Sequence, residues 1–373
     1  MSTYRVLWVM LLSSVWYSCT TTNHDHLVYV GTYTGEGSEG IYAYRFNSTD
    51  GYLTPIGLAA RTPNPSYFII DPARKFLYAV QETDSGAICA FAIDHESGAL
   101  TLIQKVSSRG AAPCHLSFDQ TGRYLMVANY VGGNAAIFPV TSNGTLGEPT
   151  ALVQHTGFSL DPNRQNGPHA HAIVATPDNR YVAVADLGID KVMVYPFDEK
   201  NGTLDTSQFH AITLSPGDGP RHLVYSPEGK EMYVLNELTS TITAFTRDPG
   251  SEKTEPIQTV TLLGPDFKGV NTSAEIVLGL AGKYLYASNR GEDSMVSFAI
   301  EPDGRLTFAS RIGCGGRGPR HFEIDPTGQW LMVANQQSNN LALFILEPGG
   351  SLTLKWDRED RNRPVCVRFL AID

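Results

Sequence analysis

One short passage returns seven times along the 373-residue chain, close to Pro-x-His, an alternating apolar run, a Pro-x-Gly turn and then Leu-Tyr-Val-Ala-Asn. The copies begin at Pro65, Pro113, His169, Pro220, Ser273, Pro319 and Pro364. A period of roughly 45 to 55 residues belongs to blades or arrays rather than to separate domains. Six copies run on into a third apolar stretch (ICAFAID at 88–94, MVSFAIE at 295–301), a Gly-x-Leu turn and a fourth, edge-like run. Apolar and polar residues alternate at period two, with Gly, Asn, Asp and Pro in the gaps, so each unit is expected to be a four-stranded antiparallel sheet. The seventh copy stops after one strand at Asp373, while 26–34 and the segment after it read as the three strands it lacks. Joining the two ends would close a ring and remove exposed sheet edges. The expectation is an all-β, seven-bladed propeller forming one domain over 26–373.

Residues 1–25 read differently. An early Arg5, an apolar run, a small residue before Cys19 and the polar TTTN behind it have the layout of an export signal and short linker, too short to span a bilayer. Ser18-Cys19 is similar to a lipoprotein cleavage site, so Cys19 is the candidate lipid attachment point and the expected location is periplasmic or envelope-anchored; without processing it would be cytoplasmic. The other cysteines, Cys89, Cys114, Cys314 and Cys366, lack Cys-x-x-Cys spacing, and neither a zinc site nor a disulfide framework follows. Net charge is -10 with Lys and Arg scattered, which argues against a nucleic-acid partner.

Function has to come from departures within the repeat. Aligned on the Pro-x-Gly turn, Gln81, Asn129, Asp186, Asn236, Asn289 and Asn335 share one register, where a polar side chain serves the backbone as strand turns to loop. The next register reads Glu82, Tyr130, Leu187, Glu237, Arg290 and Gln336 and changes type from blade to blade. At the start of the first strand, His115, His222 and His321 recur in one register, as a structural residue would. The position before them reads Ser66, Cys114, His171, Arg221, Ala274, Arg320 and Val365, and is again free of a fold requirement. An antiparallel hairpin lays the start of its first strand beside the end of its second. His171, Arg221, Glu237 and Arg290 are therefore expected to converge on one sector of the channel mouth, across three consecutive blades, with Glu275, His222 and Arg320 as a second tier shaping the pocket. The competing explanation is a salt bridge stapling neighbouring blades.

With HAHAIVATPDN, DGPRHLVYSPEGKEMYVLNEL and KYLYASNRG, the chain resembles the seven-bladed propeller lactonases, which include the propeller type of 6-phosphogluconolactonase and the fungal carboxymuconate cyclase. In the cyclase branch a His, an Arg, a Glu and a second Arg are implicated, and they carry over to His171, Arg221, Glu237 and Arg290. The resemblance implies no metal or other cofactor. It implies hydrolysis of a small-molecule sugar lactone, with Glu237 as general base, Arg221 and Arg290 clamping an anion or oxyanion, and His171 serving the carbonyl or the leaving alkoxide. A cyclase acting on a muconate-like diacid is the alternative, and a non-enzymatic envelope propeller with an uncharged, shallow mouth is another. An exported enzyme would meet unphosphorylated aldonolactones rather than the phosphorylated one.

Overall fold

Each copy of the repeat becomes a blade in the computed structural model, which describes residues 25–250, 252–359 and 362–372. The first strands, Phe68–Ile70, Pro113–Phe118, Ala170–Ala175, Pro220–Tyr225, Thr272–Leu278, Pro319–Ile324 and Pro364–Ala371, neighbour one another in a closed cycle around the channel. The seventh blade is closed as expected: Pro364–Ala371 pairs with Asp25–Thr32, which is followed outward by Gly40–Asn47 and Tyr52–Arg61. The third blade departs from the four-strand pattern, because Lys191–Asp198 carries two short outer partners, Thr203–Leu204 and His210–Thr213. The proposed leader and Cys19 lie outside the described residues. No helix among the described residues is long and apolar enough to cross a membrane.

The second strands are less alternating than the repeat suggests. Tyr124–Asn129 and Trp330–Asn335 are buried at every residue, since neighbouring blades cover both faces, and a doubly covered strand favours a continuous apolar run. The core accordingly sits between blades; Tyr233 and Leu235 of the fourth, for example, pack with Leu285 and Phe298 of the fifth.

At the turn end the same devices recur. Asp71, Asp119 and Asp325 accept the backbone N–H of Phe76, Tyr124 and Trp330 at 2.6, 2.9 and 2.8 Å, pinning the turn between first and second strands. An aromatic at that end then reaches the next blade. Tyr78 donates to Gly144 O at 2.9 Å, Tyr124 to Lys200 O at 2.9 Å, Tyr233 to Gly304 O at 3.1 Å, and Trp330 Nε1 to Ser48 O at 2.8 Å. The Gly-x-Leu signature follows from this contact: Gly202 has φ 69°, and a Cβ there would collide with the Tyr124 ring.

The mouth end is built by irregularity. Pairing slips between Pro113 and His115, between Ala170 and Ala172, between Pro220 and His222, and between Pro319 and His321, leaving one extra residue in each first strand. Those extra residues are Cys114, His171, Arg221 and Arg320, and a β-bulge re-aims the side chain it carries.

Candidate active site

The geometry of the mouth can be followed outward from Gly219. It has φ 63°, and its carbonyl accepts the Glu237 N–H at 2.8 Å, so the Gly-Pro-Arg-His turn sets the backbone of Glu237 beside the bulged Arg221. Glu237 is 4% exposed and holds three guanidiniums. Arg164 Nη2 donates to Oε1 at 2.6 Å; Arg221 Nε lies 2.9 Å and Arg290 Nη2 3.1 Å from Oε2. The Arg221 contact is an ion pair by distance rather than an aligned hydrogen bond. Arg290 also donates from Nη2 to Ser273 O at 3.0 Å, which fixes the plane of its guanidinium.

Burial alone would raise the Glu237 carboxyl, but Arg290, Arg221 and Arg164 outweigh it and bring it down to about 2. Glu237 is thus a weaker base here than partial burial beside two cations would make it. Burial draws Arg290 down to about 10 against the pull of Glu237. His171 is pushed well below the ordinary imidazole range by burial and by Arg221, so its ring is neutral, and its Nδ1 has no partner among the described residues. Burial raises the Cys114 thiol far above its ordinary range, which removes it as a nucleophile.

A cavity of about 290 Å³ opens over these groups. Every blade contributes to its wall: Glu82, Cys114, His171, Glu237, Arg290, Arg320 and Tyr33, from the first blade to the seventh in turn. The expectation of one sector across three blades is corrected, because the bulges and strand ends deliver side chains to the axis from all round the ring. A groove of about 690 Å³ between the outer strands of the third and fourth blades is larger, but it lies on the rim, away from the channel.

The structure brings His171, Glu237 and Arg290 to the cavity as expected, and Arg320 of the second tier with them. Arg221 joins the cluster but does not line the cavity. Its guanidinium is taken up by Glu237, by Ala274 O and by His222 Nε2, 3.2 Å away, so it is placed to hold Glu237 rather than to clamp a ligand. His222 and Glu275 are buried and also absent from the wall, which corrects their expected place in shaping the pocket. Opposite Glu237, Tyr33 donates to Glu82 Oε2 at 2.8 Å, and Arg320 lies over the Tyr33 ring at 5.2 Å with its nearest carboxylate oxygen, on Glu82, 3.9 Å away.

Arg164 is not visible in the repeat. It stands in segment 155–169 between two blades, where Gln165 donates to Leu187 O at 2.8 Å and Asp190 Oδ1 at 2.7 Å and so anchors the loop over the mouth. Fifteen residues without a strand between blades is itself a signal of function. Glu82 and Tyr130 share the variable register of Glu237, and Cys114 that of Arg221; only the restriction to one sector hides them.

The lactonase family with seven-bladed β-propeller fold has a model that matches residues 27–369. The chain belongs to that seven-bladed β-propeller lactonase family. Among its relatives, the 6-phosphogluconolactonase of Bacillus subtilis is 36% identical over 304 residues, covering 81% of this chain and 86% of the relative. The 6-phosphogluconolactonase of Formosa agariphila is 33% identical over 316 residues, covering 81% and 87%. Of solved structures, the periplasmic gluconolactonase of Pseudomonas aeruginosa superposes with a TM-score of 0.87 at 33% identity, covering 94% of this chain and all (100%) of that one. The charged, concave mouth of this lactonase-family member is opposite to the uncharged, shallow mouth of a non-enzymatic binder.

Proposed function

We propose that the channel mouth hydrolyses a sugar lactone that carries an anionic group. One observation carries this reading: three guanidiniums, of Arg164, Arg290 and Arg320, line the cavity with two carboxylates, Glu237 and Glu82, and Arg221 backs Glu237 from behind the wall, which leaves a surplus of positive charge at the mouth. The names of the relatives support a sugar lactone, phosphorylated in two of them.

In the proposed reaction, Arg290 and Arg320 receive the anionic group and the oxyanion that forms when water adds to the lactone carbonyl. The neutral His171 ring hydrogen-bonds the lactone. Glu237 takes the proton of the attacking water, and that proton is the one delivered to the leaving ring oxygen. Its basicity returns when the bound anion draws Arg164, its most exposed partner at 35%, away from Oε1. Arg221 keeps the carboxylate in place throughout. Water adds, the ring C–O bond breaks, and the open-chain sugar acid leaves.

The test is initial rates on 6-phosphogluconolactone and δ-gluconolactone with spontaneous hydrolysis subtracted. Both are expected to be opened, the phosphorylated one with the lower KM; no enzymatic rate on either would refute the proposal. The same charge surplus suits a diacid, so conversion of carboxymuconate, followed by absorbance, is the second reading's test.

We further propose that the chain is exported, with Cys19 lipidated. Asp25 lies at the turn end, since Thr32 at the other end of its strand pairs with Pro364 at the mouth. A tether before Asp25 would leave the mouth facing away from the membrane. Mass spectrometry of the mature N-terminus is expected to find a chain beginning at modified Cys19, and an intact Met1 in a soluble fraction would overturn export.

A further inference from the structure

Three histidines share one register of the first strand, and two of them do the same thing. His115 Nδ1 accepts the backbone N–H of Ile173 at 3.4 Å, and His321 Nδ1 accepts that of Val367 at 3.3 Å, each from the following blade. A backbone N–H can only donate, so in both rings the proton sits on Nε2. The corresponding N–H for His222 is that of Ile276, and it is taken: it donates at 3.1 Å to Glu275 Oε1. The same Oε1 lies 2.7 Å from His222 Nδ1. On the other side of the ring, His222 Nε2 faces Arg221 Nη1 at 3.2 Å. A guanidinium has donors and no acceptor, so Nε2 must be the unprotonated nitrogen and Nδ1 must carry the proton. The His222 ring is 4% exposed and Glu275 5%, so water does not substitute for these partners.

We propose that Glu275 and His222 form a positioning dyad, with the tautomer opposite to that of His115 and His321, which orients Arg221 and through it Glu237. The chain of donors runs from His222 Nδ1 to Glu275 and from Arg221 to His222 Nε2, with Glu237 as the ion-pair partner at the end. It crosses from the fourth blade to the fifth, and it exists only because the fifth blade carries Glu275 where three others carry His. Such an outer partner fixes both tautomer and orientation of what it holds. The kinetic consequence rests on the lactonase reading above; the tautomer does not.

Two measurements test the dyad. Long-range 1H–15N correlation spectra of histidine-labelled protein, assigned with single-histidine variants, are expected to show His222 protonated at Nδ1 and His115 and His321 at Nε2. A His222 ring protonated at Nε2 like the others overturns the proposal. In lactone hydrolysis, His222→Leu is expected to lower kcat about 10- to 100-fold, the usual worth of a hydrogen bond to a charged group, with KM little changed. His222→Gln, whose side-chain oxygen can accept from Arg221, is expected to recover much of that loss, and His115→Leu to leave kcat within about threefold. Equal kcat for His222→Leu and His115→Leu overturns the dyad while leaving the lactonase reading intact. If wild type opens no lactone but the tautomer is as stated, the dyad stands and the lactonase reading falls.

Discussion

The two ends of the channel are made by opposite rules. At the turn end, a short oxygen-bearing side chain capping the hairpin (Asp71, Asp119, Thr176, Ser226, Asp325) and an aromatic reaching the next blade recur, as Tyr78, Tyr124, Tyr233 and Trp330 show. At the mouth end, the two registers carried by bulges and strand ends change type from blade to blade, and their side chains converge on one charged cavity. Repetition therefore marks what closes the ring, and variation marks what the ring is for. The division predicts that substitutions at one end move stability and at the other move turnover.

The largest expected effect at the turn end is that of Tyr233→Ala, which empties a fully buried site between blades and should cost about 3–5 kcal/mol of unfolding free energy by urea titration. At temperatures where the variant is folded, its kcat/KM should match wild type; a large loss would break the division. Acid supplies the next contrast. His115, His171, His222 and His321 are held neutral, all four primarily by burial. In the unfolded chain these imidazoles take up protons below about pH 6.5, whereas the folded ones do not. The unfolded state then binds more protons, so stability falls as pH drops below about 6.5, by about 1.4 kcal/mol per pH unit for each such ring until its folded pKa is reached. Urea midpoints at pH 7.5 and 5.5 check this, and a higher midpoint at pH 5.5 would contradict it.

Activity should follow another curve. Glu237 is already ionised down to about 2, so kcat/KM should show no acid limb from this carboxylate between about pH 4 and 7 while the protein is folded. Smaller effects separate the arginines. Arg164→Gln, at a partly exposed side chain, should raise KM about tenfold and shift stability by less than about 1 kcal/mol. Smallest is Tyr233→Phe, which removes only the bond to Gly304 O and should cost about 1 kcal/mol with kcat and KM unchanged.

Much of this is legible in the chain. The period, the truncated last copy and the strand at 26–34 lead to the propeller and its closure because they express local backbone geometry. The variable registers point to His171, Glu237, Arg290 and Arg320 because position within the repeat stands in for position in space. Arg164 escapes, since it lies off the repeat in a segment whose path depends on Gln165 and Asp190. The part played by Arg221 escapes for another reason: which face of a guanidinium is free depends on Ala274, His222 and Glu237 together. His222 reads as a recurrent structural residue, and its difference from His115 and His321 is set by a carboxylate on the next blade.

The proposed hydrolysis at the mouth turns on Glu237 as the group that would take a proton from water. Initial rates of 6-phosphogluconolactone hydrolysis by wild type and Glu237→Gln, above the spontaneous rate and with folding verified at the assay temperature, measure that directly. The expected result is a fall in kcat of about 10²- to 10⁴-fold, the range for loss of a general base. Equal turnover by the two proteins would contradict it.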